Sequence, residues 1–146
     1  MIAATGGCAC GAVRYRTRLD PEIGILCHCR MCQRATGNVA VAFIMVLKAD
    51  TQWTTGAPVE WQSSPIARRG RCADCGTPLT FHYPDSAHMD LTVASLDDPA
   101  VIRLASHFGV ESRIPGWSAE DGLPAMRCDD YQPLQDRWAG VKGGPE

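Results

Sequence analysis

The chain has 146 residues, of which 45% are hydrophobic and 21% charged, with a formal net charge of −2. That is the size and balance of one soluble globular domain with a sizeable core, and it excludes a disordered chain. A slightly acidic balance speaks against a nucleic-acid partner, whose binding proteins carry a basic excess. The densest basic stretch, "ARRGRC" with Arg68, Arg69 and Arg71, reads as a solvated turn or strand edge.

In chain order, "AVRYRT" (residues 12–17) reads as the first strand, and "RMCQRATG" (30–37) allows one short turn of helix. Strands are then expected at "VAVAFIMVLK" (39–48), "VEWQSS" (59–64), "LTFHY" (79–83) and "MDLTVASL" (89–96). These runs are rich in β-branched or aromatic residues and bounded by turn formers such as "TTGAP" and "YPD". No window of a dozen residues holds a helical period. The expectation is a single mostly-β domain over residues 1–135, followed by a tail, 136–146, whose glycines and proline give it little to bury.

No basic start followed by an apolar stretch opens the chain, so no secretory signal is expected. The longest apolar run, "VAVAFIMVL", has nine residues, too few to cross a bilayer as a helix. A soluble, cytoplasmic protein without a membrane partner is expected. In that reducing setting, eight cysteines point to metal ligands or catalytic groups before disulfides.

The cysteines fall into groups: Cys8 and Cys10 in "GGCACGAV", Cys27, Cys29 and Cys32 in "ILCHCRMCQRATG", Cys72 and Cys75 in "RCADCGTPL", and Cys128 alone. Zinc binds thiolates at about 2.3 Å and closes structural sites with four of them. Two cysteines two or three positions apart reach one ion from a single tight turn, and the glycine after each pair frees the backbone to make it. Cys8, Cys10, Cys72 and Cys75 therefore pair into one closed structural site, with buried bare thiols or disulfides as the alternatives. The triplet then lacks a fourth ligand. If the segment is a strand, His28 points away from Cys27 and Cys29 and is packed or solvated. Cys128 would close a second four-cysteine site. Three thiolates with an open place would instead be a catalytic zinc arrangement.

The segments "GGCACGAVRY", "CHCRMCQRATG", "RCADCGTPL", "SHFGVESRIPGW" and "DGLP" together resemble the glutathione-dependent formaldehyde-activating enzyme family, which includes the centromere protein V domain. The resemblance implies a β-rich, Mss4-like fold with two zinc sites. Cys8, Cys10, Cys72 and Cys75 match its structural site, and Cys27, Cys29 and Cys32 its catalytic one, open to substrate. It also implies a glutathione-like thiol and a small aldehyde such as formaldehyde as substrates, joined as an S-hydroxymethyl adduct by a carbon–sulfur lyase working in the synthetic direction.

Glutathione carries two carboxylates, so Arg30 and Arg34 beside Cys32 are candidate anchors. Through the resemblance, "ESRIPGW" lies near the second metal, so Arg113 would face the substrate and Trp117 would wall it. Cys128 has no counterpart in the family pattern. Two other readings stand beside the enzyme. One is a zinc-stabilised protein-interaction module with no open coordination place. The other is a redox or metal-buffering protein using the triplet and Cys128.

Overall fold

A computed structural model describes residues 1–117 and 121–141. Its strands are β1 (Ile2–Gly7), β2 (Arg14–Leu19), β3 (Ile23–Cys27), β4 (Val41–Leu47), β5 (Gln52–Trp53), β6 (Val59–Ser64), β7 (Ala67–Arg71), β8 (Pro78–His82), β9 (His88–Thr92), β10 (Arg103–Phe108) and β11 (Ala125–Met126). Two short helices, α1 (Arg30–Thr36) and α2 (Gln132–Trp138), join them, with several 3₁₀ turns. The chain is mostly β, as expected. Among the described residues no helix is long and apolar enough to cross a membrane.

Backbone contacts divide the chain into two compact units, Met1–Gly24 with Phe43–Arg103, and Ile25–Ala42 with Leu104–Glu146. In the first, β1, β2 and β5 form a three-stranded sheet, while β4, β9, β8, β7 and β6 pair in that order. Alternation builds the core: along β2, Tyr15, Thr17 and Leu19 are buried, while Arg16 and Arg18 between them are exposed. Tyr15, Leu19, Ile44, Leu79 and Leu91 are the most completely buried apolar side chains of this unit, and Cys8 and Cys72 join the same cluster.

The arginine-rich stretch is not a solvated turn. It is β7, an interior strand between β6 and β8, and Arg69 is buried with its guanidinium 4.7 Å from the centre of the Phe81 ring. The facing aromatic on β8, at register Arg69↔Phe81, gives the cation a favourable ring contact. The strand expected through residue 96 stops at Thr92 and continues as a 3₁₀ turn over Val93–Ser95.

In the second unit β3, β10 and β11 are neighbours, β10 and β11 running parallel. Helix α2 crosses the boundary expected at residue 135, because Leu134 and Trp138, four residues apart, are both buried on one face. Residues 142–146 of the expected tail lie outside the described residues.

Candidate metal centre

Each unit carries one cysteine cluster. In the first, both pairs sit in the connections between antiparallel strands. Cys8 and Cys10 follow β1, and Cys72 and Cys75 follow β7. The backbone of the second pair folds back on itself: the Gly76 N–H donates to the Cys72 carbonyl (3.1 Å) and the Cys72 N–H to the Thr77 carbonyl (3.0 Å). Gly76 has φ +76°, a left-handed conformation that a side chain would strain. The first pair is held similarly, the Val13 N–H donating to Cys8 Sγ at 3.2 Å.

Thr77 ties the two turns together. Its Oγ1 accepts the Ala9 N–H at 3.1 Å and stands in hydrogen-bond contact with Cys75 Sγ, also 3.1 Å away. That hydroxyl first, and the Thr77 and Cys10 amides after it, bring the Cys75 thiol down to about 5.

In the second unit the chain turns sharply from β3 into α1. Cys27 ends the strand, Cys29 caps the helix by accepting the Cys32 N–H on Sγ at 3.4 Å, and Cys32 lies in the first turn. The triplet thus converges through a strand-to-helix junction and not through strand alternation. Cys27 and Cys32 are buried, whereas Cys29 is half-buried. Gly109 presses against this junction at φ +67°.

Both clusters have the spacing of ligand sets. The sulfurs within each lie within 4.8 Å of one another. Cys8 and Cys10 are 3.5 Å apart, Cys10 and Cys72 3.7 Å, and Cys27 and Cys29 3.5 Å. Four thiolates around one zinc at about 2.3 Å would stand about 3.8 Å apart, while a disulfide needs about 2.05 Å. All eight cysteines are free thiols. Crowding also disfavours ionising these sulfurs together without a cation. Cys27 is pushed well up by the Cys29 sulfur, then by Cys32 and burial. Cys29 reaches about 11, because Cys32 and burial outweigh the lowering contact with Cys27. A cation among the three sulfurs would remove that cost, so the donor set fits a thiophilic metal.

Cys128 is not part of the second sulfur group among the described residues. It is buried at the start of the 3₁₀ turn Cys128–Asp130, its N–H donating to both Glu111 carboxylate oxygens at 3.0 Å. Burial first, then that carboxylate, pushes its thiol far up.

The candidate anchors are all in the second unit. Arg30 and Arg34 are exposed on α1, and Arg30 Nη1 donates to Gln33 Oε1 at 2.6 Å. Arg113 is half-buried, and its Nε is buried without a hydrogen-bond partner among the described residues. Trp117 is 71% exposed.

Sequence reasoning missed what His28 does. Its ring is buried and meets His107 Nδ1 through Nε2 at 2.8 Å, and His107 Nε2 in turn meets Asp121 Oδ2 at 3.0 Å. Burial first, then the Arg113 guanidinium and His107, lower the basicity of His28. Nothing local in "CHC" announces this, since the partner is 79 residues away.

Residues 3–111 match the family described as glutathione-dependent formaldehyde-activating enzyme. The fold is similar to the crystal structure of a Rhodobacter sphaeroides protein, with a TM-score of 0.54 and 19% identity over 84% of this chain and 98% of that one. No functionally curated protein matches the chain.

Proposed function

The chain belongs to the glutathione-dependent formaldehyde-activating enzyme family, and from that premise we propose that it joins a glutathione-like thiol to a small aldehyde such as formaldehyde. The product is an S-hydroxymethyl adduct, and the reverse reaction is that of a carbon–sulfur lyase. The observation that carries this reading is the second cluster, in which the sulfurs of Cys27, Cys29 and Cys32 converge within 4.8 Å of one another, one of them half-buried, in a group that Cys128 does not join.

In this reading Cys8, Cys10, Cys72 and Cys75 hold a structural zinc, and Cys27, Cys29 and Cys32 hold a catalytic one. A zinc ion held by Cys27, Cys29 and Cys32 would supply the acidity that keeps an incoming thiol deprotonated at neutral pH. The thiol sulfur bonds to the aldehyde carbon, the carbonyl π pair moves to oxygen, and the thiol's proton ends on that oxygen. No oxidant or reductant is needed.

The chain's own groups orient and shield the reactants. Cys27 and Cys32 close the inner side of the cluster, so substrate approaches past the half-buried Cys29. Arg113, whose Nε is buried without a hydrogen-bond partner among the described residues, receives a substrate carboxylate. Arg30 and Arg34 supply further positive charge on α1, and Trp117 offers an aromatic wall. The setting is cytoplasmic, where glutathione is abundant and thiols stay reduced.

The test is zinc content per chain for the native protein and for Cys128→Ala, each titrated with glutathione and then assayed with formaldehyde. Two zincs in both proteins, one of them responding to glutathione, support the open site. Loss of the second zinc in Cys128→Ala, with no glutathione response in the native protein, overturns it in favour of a zinc-stabilised interaction module.

A further inference from the structure

We propose that Asp121, His107 and His28 form a positioning chain that fixes the Cys27–Cys29–Cys32 junction and thereby sets the metal affinity and ligand geometry of the second cluster. The proposal rests on the reading that this cluster holds zinc.

Two imidazoles are among the most buried side chains of the second unit, His28 at 1% exposure and His107 at 3%. Burying such polar rings is unfavourable unless their nitrogens are bonded, and two apolar side chains would fill the same volume without that demand. Here they are bonded in series. His28 Nε2 meets His107 Nδ1 at 2.8 Å, and His107 Nε2 meets Asp121 Oδ2 at 3.0 Å and Oδ1 at 3.1 Å. The series ends at the surface, where the Asp121 side chain is 39% exposed and its Oδ1 also accepts the Leu123 N–H.

Hydrogen-bond chemistry gives this series a direction. An ionised carboxylate only accepts, so His107 Nε2 must carry a proton. In neutral His107 the other nitrogen, Nδ1, is then an acceptor, and His28 Nε2 must donate to it. One surface carboxylate therefore fixes the tautomer and ring orientation of both buried histidines, as an outer carboxylate does for a histidine beside a metal or nucleophile.

His28 stands between two of the three sulfurs in sequence, and it is held at every polar point of its backbone. Its N–H donates to the Phe108 carbonyl at 2.8 Å, and its carbonyl accepts Gln33 Nε2 at 2.7 Å. The same Gln33 amide nitrogen reaches the Ser112 carbonyl at 3.0 Å. His107 is anchored in turn, its N–H donating to the Pro124 carbonyl at 2.8 Å. A ring fixed from one side and a peptide fixed from the other leave Cys27 and Cys29 little freedom to separate. Such preorganisation keeps three like-charged sulfurs in place for one ion. Neither histidine is a ligand in this arrangement.

The two clusters give an internal control, because the first is built from other strands. Zinc dissociation at each cluster is measured by chelator competition for the native protein, Asp121→Asn, His107→Gln and Asp121→Glu. The cobalt(II)-substituted proteins are compared by their sulfur-to-metal charge-transfer and ligand-field bands. The expected result is a tenfold or greater loosening of one zinc, with altered cobalt bands, in Asp121→Asn and His107→Gln. The other zinc stays unchanged, and Asp121→Glu restores most of the affinity. Equal loosening of both zincs, or native affinity and bands in both disabling variants, overturns the positioning role. A native protein that holds a single zinc overturns the zinc reading of the triplet, and the chain's role with it.

Discussion

The backbone of Cys29 lies directly against Gly109. A Cβ placed on residue 109 would stand 2.9 Å from both the amide nitrogen and the Cβ of Cys29, and 3.1 Å from its Cα. The neighbours are backbone and the root of the Cys29 side chain, so they cannot swing aside. The φ of +67° adds a left-handed penalty of roughly 1–2 kcal/mol for any L side chain. Gly109→Ala is therefore expected to displace Cys29 and lose one zinc per chain while keeping the other. Metal analysis of the purified variant checks this, and two retained zincs would refute the close packing.

Thr77 serves the first cluster in a different way. It bridges the two cysteine turns through Ala9 and Cys75, and its hydroxyl can donate to the Cys75 sulfur. Thr77→Val preserves shape but removes that proton, so zinc affinity at the first cluster should fall about tenfold, the lower end of the usual effect of outer hydrogen bonds on a metal site. The second zinc should be untouched. Because a structural zinc of this kind contributes on the order of 10 kcal/mol to folding, the variant should also unfold at lower chelator concentration than the native protein. Circular dichroism during chelator titration follows both effects.

Much of this was legible in the sequence, for reasons that are local. The cysteine pairs announce themselves because one tight turn must deliver two sulfurs to one ion. The strands β4, β6, β8 and β9 show in their β-branched and aromatic runs. The rest depends on partners far along the chain. "ARRGRC" becomes an interior strand only because Phe81 lies across from Arg69, and no property of the arginines themselves encodes that. β3 and β10 lack clean alternation of buried and exposed residues, so periodicity passes over them. His28 acquires its role from His107 and Asp121, and neither lies in its own motif.

The buried phenol of Tyr15 gives the fold an alkaline limit. Burial pushes it up to about 12, partly opposed by the Ser95 hydroxyl 2.7 Å away. An unfolded tyrosine ionises near 10. The folded value is the higher one, so the native state holds this proton more tightly. The associated stability is fully present below about pH 10 and is lost as pH rises through about 12. Tyr15→Phe should remove that loss of stability between the two values, at the cost of about 1 kcal/mol for the hydrogen bond near neutral pH. Denaturant unfolding at several alkaline pH values, with tyrosinate absorbance as a second probe, tests it. An identical alkaline decline in the variant would place the limit elsewhere.

In the proposed reading, Arg113 separates recognition of the thiol from activation of it. Its Nε is buried without a partner among the described residues, and its charge is felt by His28 next to the cluster. A lysine in its place keeps one positive charge but loses the planar fork that engages a carboxylate through two donors. The lost charge-assisted hydrogen bond is worth roughly 1.5–3 kcal/mol, which means about tenfold or more in binding. Arg113→Lys should therefore weaken glutathione by that factor in titrations of the second metal centre. A small thiol without carboxylates should bind both proteins alike, because it never used the guanidinium. Zinc content should stay at the native value. Equal weakening of both thiols would mean that Arg113 supports the cluster and not the substrate, and the anchor would then have to be sought in Arg30 and Arg34 on α1.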